Sequence, residues 1–284
     1  MPITVNPSAT PDFATSIVLP TAGDGVKTAA GPSPINPPIV SVLNGTEASR
    51  LLLLGNGTRR RCTCYDGALI VINPLGAVCV VIAGVTKVLP HLTASIFNTA
   101  TGGALAANTR YYLYATISGG AVVFSKSTTA PDDAIHFKSG GQAFLFVSTF
   151  ITDAAAAVVT YSQADAEYTY GAFVADGAGL GGNLVLDRGV AIAWTGVVSA
   201  PAVPALASSW IAQIEFKSTN SGDAGAVSFA NPTGVGLGWF ENWYGVSGKL
   251  QGQASGSNYA GLIFYKVQDA AADTLSIWCA GFTM

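Results

Sequence analysis

The sequence predicts an all-β protein: an extended N-terminal arm with one short helix, followed by two antiparallel β-sandwich or barrel-like domains. Three observations carry that expectation. Short runs rich in Val, Ile, Tyr, Phe and Thr recur from about residue 59 to the C-terminus. Turn dipeptides such as Asn73-Pro74, Gly102-Gly103, Gly119-Gly120 and Gly140-Gly141 fall between those runs. Finally, 33 glycines and 14 prolines in 284 residues leave little room for long helices.

Taken in order, residues 1–58 read as the arm and helix. Eight of the 14 prolines lie in the first 38 residues, which excludes a regular helix or a central strand there. The same segment carries Phe13, Ile17, Val18 and Leu19, so it reads as an extended arm lying on another surface rather than a solvated linker. Thr46 is placed to cap a short helix ending near Gly55. The first β domain, 59–165, contains expected strands at 68–73, 77–83, 93–98, 111–117, 121–125, 143–151 and 157–161. Residues 111–117, Gly119-Gly120 and 121–125 form the clearest hairpin signal. The second domain, 166–284, has expected strands at 168–175, 183–187, 190–194, 210–217, 226–230, 259–267 and 275–282. Polar residues clustered at 162–167 mark the boundary.

Composition excludes several classes of function. Hydrophobic residues make up 50% and charged residues 10%, against roughly 25% charged in ordinary domains, so disorder is excluded. A net charge of −3 offers no footprint for nucleic acid. Mean hydropathy is high, at +0.43, yet proline or small residues break every long apolar window, so no membrane insertion is expected. The N-terminus has no basic region leading into an apolar stretch, so no signal peptide is read. A soluble oligomer made in the cytoplasm fits this balance best.

Catalytic and metal chemistry find little to stand on, and no cofactor is expected. Cys62 and Cys64 form a CxC pair with Cys79 downstream, but zinc spacing is usually longer and no histidine sits nearby. Cys79 and Cys279 lie in apolar runs and read as structural thiols. His91 and His136 belong to no nucleophile motif and read as turn, packing or surface residues. Asp132-Asp133 after Pro131 reads as a turn, and nothing pairs Glu215 with Glu241 as a glycosidase would require. The glycine-rich stretches 177–182 and 234–238 precede no helix and read as turns, not phosphate loops. Arg59, Arg60 and Arg61 form either a solvated linker or a contact for an acidic patch on a partner. Trp239, Glu241, Asn242, Trp243 and Tyr244, with Phe240 among them, form either a sugar-stacking platform or part of a core or interface.

Two stretches carry a family resemblance. The arm runs Pro11-Asp12-Phe13-Ala14, then Leu19-Pro20-Thr21-Ala22-Gly23-Asp24-Gly25, and later Ile35-Asn36-Pro37-Pro38. It resembles the N-terminal segment of tailed-bacteriophage tail-fibre and appendage proteins. Asn108-Thr109-Arg110-Tyr111-Tyr112-Leu113-Tyr114-Ala115, Ser127-Thr128-Thr129-Ala130-Pro131-Asp132 and Phe146 to Asp153 are similar to a β module of phage virion proteins. The likeness covers roughly residues 10–165 and stops after Tyr170. It implies a non-enzymatic virion protein, commonly a homotrimer, attached to other virion proteins through its arm and projecting its C-terminal domain toward host-surface glycan. A capsid decoration or head-fibre protein, or a bacterial adhesin, would suit the same composition.

Overall fold

A computed structural model describes residues 61–133, 135–171, 183–220, 223–229, 248–258 and 261–284. The described residues are all β, with no helix. The first strands are β1 (Cys62–Cys64), β2 (Leu69–Ile72), β3 (Gly76–Ile82), β4 (Val85–His91), β5 (Ser95–Asn98) and β6 (Arg110–Ser118). Then come β7 (Ala121–Ser127), β8 (Leu145–Ile151), β9 (Tyr161–Ala164), β10 (Glu167–Tyr170), β11 (Leu184–Gly189) and β12 (Thr195–Val198). The last are β13 (Ser209–Ser218), β14 (Gly225–Ser228), β15 (Gly248–Ser257), β16 (Leu262–Val267) and β17 (Asp273–Thr283). The expected helix at 46–55 and the whole arm lie outside the described residues.

One nine-stranded antiparallel sheet organises the chain, in the order β15-β13-β17-β10-β9-β1-β2-β5, with β11 pairing β17 as well. Because side chains alternate between faces along a strand, cross-strand partners share a face. The row Phe97, Ile70, Cys64, Tyr161 and Tyr170 points inward, and all five are buried. The neighbouring inward row is Gln163, Tyr168, Phe282 and Trp210. Tyr168 stacks on Phe282 at 4.5 Å, and Trp210 meets Phe229 edge-on at 5.1 Å. Gly281 lies where β17 passes closest to β10, since a Cβ there would run into the Tyr168 carbonyl oxygen.

Smaller sheets cover the inner face. The β7-β6-β8 sheet brings Phe150 and Leu113 to the core, and Ser148 Oγ lies 3.0 Å from the Tyr161 hydroxyl. The β3-β4 hairpin packs against this sheet. The β12-β16-β14 sheet brings Ile263, Tyr265 and Val227 to the other half of the same core. The β6–β7 hairpin forms as expected: Ser118 faces Ala121, and Gly119 and Gly120 take φ of 57° and 77°, the type I′ turn that glycine favours.

Several expectations differ from what forms. The strand expected at 157–161 forms only in part: Asp153 Oδ1 accepts from the Ala155 and Ala157 amides to hold a turn over 154–156, Val158 makes a single antiparallel bridge to Thr152, and the regular strand begins at Tyr161. The strand expected at 190–194 forms at Thr195–Val198, and the one expected at 168–175 has its described part at Glu167–Tyr170. The strands at Cys62–Cys64, Val85–His91 and Gly248–Ser257 were not expected. The boundary expected at 165/166 falls in the turn between β9 and β10, and sheet hydrogen bonding continues through that hairpin into β17.

Candidate interaction surfaces

Most of the residues singled out from sequence fall outside the described residues. Trp239, Phe240, Glu241, Asn242, Trp243 and Tyr244 do so, as do Phe13, Ile17, Val18, Leu19, Arg59 and Arg60. The glycine stretches 177–182 and 234–238 do too. Arg61 is exposed at the entry to β1, and its carbonyl accepts from both the backbone amide and the Nδ2 of Asn73.

The candidate catalytic groups are placed in packing and turns. His91 is buried at the end of β4 rather than at a turn. The Leu75 amide is shared between the His91 carbonyl at 3.1 Å and the ring Nδ1 at 3.3 Å, and Nε2 lies 2.8 Å from Ser95 Oγ. Asp132 shapes the turn after Pro131 by accepting from the His136 and Phe137 amides. Glu215 is buried and pairs with Lys217 Nζ at 3.0 Å, while Glu241 is outside the described residues. No three His, Cys, Asp or Glu side chains gather as a metal site among the described residues.

Burial lowers the His91 pKa from its ordinary 6.5. The unfolded chain therefore binds a proton at a pH where the folded chain does not. Stability is full above about pH 6.5 and falls as pH drops through the lowered folded value. Urea midpoints measured from pH 7.5 to 5 should show that slope, and His91→Gln should flatten it. An unchanged slope in His91→Gln would contradict the assignment.

All four cysteines are buried thiols at strand positions. Burial pushes Cys279 up to about 12 and raises Cys64, so thiolate, the reactive form, is scarce at neutral pH. Native protein should leave Ellman's reagent almost unreacted for hours, whereas protein in guanidinium should titrate four thiols at once. Rapid native reaction of even one thiol would contradict the packing.

Two cations missed by sequence reasoning organise the fold. Arg110 opens β6 beneath the large sheet. Its Nε donates to the Pro201 carbonyl at 2.8 Å, and Nη2 to the Ala202 carbonyl at 2.7 Å and the Tyr170 hydroxyl at 2.9 Å. Nη1 donates to Thr149 Oγ1 at 3.1 Å, and the guanidinium lies 5.3 Å from the Phe282 ring centre. Lys126 Nζ donates to the carbonyls of Thr99, Thr101 and Gly103 at 2.6–2.7 Å, tying that turn to β7. A lone Arg opening the apolar run Tyr111-Tyr112-Leu113-Tyr114 was the available signal for the first. Lys126 in Ser-Lys-Ser-Thr-Thr carried none.

What the fold leaves outside is more informative. Leu92, Ile96, Ile192 and Val198 are 60–71% exposed, and Val85 and Val88 stand out on the β4 hairpin strand. A recess of about 260 Å³ lies beside β14 and is lined by Ile192, Gly225, Lys266 and Gln268. Lys266 Nζ sits 5.0 Å over the ring of Trp194. No family model matches the chain, and no curated protein matches it.

Proposed function

We propose that the chain is a non-enzymatic structural protein of a tailed-phage virion, a homo-oligomeric tail-fibre or spike component and most simply a trimer. It attaches through residues 1–58 and presents residues 166–284 to the host surface. The observation that carries this reading is apolar surface left on the outside of a chain with few charges. Large aliphatic side chains at 60–71% exposure in a protein of 10% charged residues support burial against a partner. The resemblance of the arm and of the β module over residues 10–165 supports the virion setting.

The test is deletion of residues 2–38 in a phage background encoding the chain. The truncated protein should fold but fail to enter particles; normal incorporation would overturn the attachment role. A carbohydrate-binding adhesin is a second reading, favoured by the recess beside Lys266 and Trp194. Glycan-array binding lost in Trp194→Ala, with particle association absent, would prefer it over the first.

A further inference from the structure

The outer face of the nine-stranded sheet contains a row that crosses eight strands without an ionisable residue. Ile96 faces Val71, Val71 faces Thr63, Thr63 faces Ser162, and Ser162 faces Thr169. Thr169 faces Gly281, which faces Ile211, which faces Ser255 on β15. Ile96, Ser162, Thr169, Ile211 and Ser255 are exposed, Val71 and Thr63 are half-buried, and Gly281, without a side chain, is buried. The same strands bury Phe97, Ile70, Cys64 and Tyr161 on the opposite face. Exposed sheets are normally defended by charge, above all near their edges. Here the row lacks that defence from one end to the other. Two charges flank the row on the same face: Glu167, two residues along β10 from Thr169, and Arg61, two residues before Thr63.

We propose that this face is where a second copy of the chain packs, sheet against sheet; this rests on the oligomeric reading above and assigns its surface. Two arguments select a copy as the occupant. Every copy carries the same net charge of −3, so copies meet at least cost where ionisable groups are missing, and this row is such a place. Eight strands at about 4.8 Å spacing make a face about 35 Å wide and, over the four residues of its short strands, about 13 Å deep, roughly 450 Å² per partner and at the small end of specific interfaces. Three such faces can close around a three-fold axis, each meeting the next, so that no copy is left with a bare face.

Because the native thiols are buried, an added surface cysteine can be followed by itself. Ser162→Cys tests the face, and Thr86→Cys, on the exposed strand β4, serves as the reference. Full-length protein should sediment as an oligomer and label with maleimide about tenfold more slowly at 162 than at 86. Thr169→Glu should weaken self-association at least about tenfold, because it buries an unpaired charge, while Thr86→Glu leaves it unchanged. An oligomer with rapid labelling at 162, or with unaltered association in Thr169→Glu, overturns this surface and leaves the oligomeric reading standing. A monomer with slow labelling means that the chain's own arm covers the face, and a monomer with rapid labelling means that nothing does. Both overturn the surface and the oligomeric reading together. Should Thr169→Glu fail to fold, the labelling comparison decides alone.

Discussion

Replacing Phe282 with alanine should lower stability by about 3–5 kcal/mol, the range for truncating a fully packed aromatic. Phe282 lies at the last turn of the pleat in β17 but near the centre of the sheet. Its ring stacks on Tyr168 at 4.5 Å, leans on Tyr170 at 6.0 Å and carries the Arg110 guanidinium at 5.3 Å. Its strand position faces Trp210 on one side and Tyr168 on the other. Alanine would leave a cavity between rings that cannot collapse without moving three strands. Phe282→Leu should cost less, because it refills part of that volume. The check is a urea midpoint with an unchanged denaturant slope; a loss below 1 kcal/mol would contradict the packing.

Arg110→Ala should cost about 3 kcal/mol, or a Tm lower by roughly 6–12 °C. Arg110 is 9% exposed, and the four acceptors of its guanidinium are neutral. Its removal leaves the buried Ala202 carbonyl and the part-buried Pro201 carbonyl without this donor, and a fully buried acceptor so abandoned costs about 1–3 kcal/mol. Tyr170 keeps a bond of its own to the Ala202 carbonyl at 3.2 Å, which softens the loss. Lysine has a charge but no planar fork, so Arg110→Lys should recover only part of it. Because Arg110 touches the Phe282 ring, the two alanine variants should combine to less than the sum of their separate losses. Strict additivity would argue that the two do not share one packing unit.

The legibility of this fold in its sequence follows from where each signal lives. The β6–β7 hairpin was legible because strand, turn and strand are contiguous and Gly119-Gly120 supplies the positive φ that the turn demands. The alternation in Cys62-Thr63-Cys64 was equally local, buried on both sides of a half-exposed Thr63, but three residues are too few for a strand pattern to stand out. Strand β15 was not legible because Gly248–Ser257 holds Gly, Gln, Ser and Ala where strands usually hold branched and aromatic residues. Its pairing with β13 along ten residues, Ser209↔Ser257 through Ser218↔Gly248, supplies what propensity lacks. The run at 190–194 looked like a strand on composition alone, yet the tertiary pairing of β12 with β16 begins at Thr195.

The order of the large sheet was beyond any local signal. Glu167–Tyr170 pairs with a strand more than a hundred residues later, and that register depends on both faces of β17 being filled. The uncharged outer row becomes visible only once those partners are known, because its members are scattered from Thr63 to Gly281 in the sequence. The aromatic cluster at Trp239 to Tyr244 was the most conspicuous local signal in the chain, and it falls outside the described residues.

The central claim is that this chain works as an assembly of copies. Sedimentation equilibrium of the full-length protein at micromolar concentration tests it most directly. The expected result is a mass three times that of the 28.9 kDa chain, or another whole multiple of it, stable to dilution. A mass of 28.9 kDa at every concentration would contradict the account.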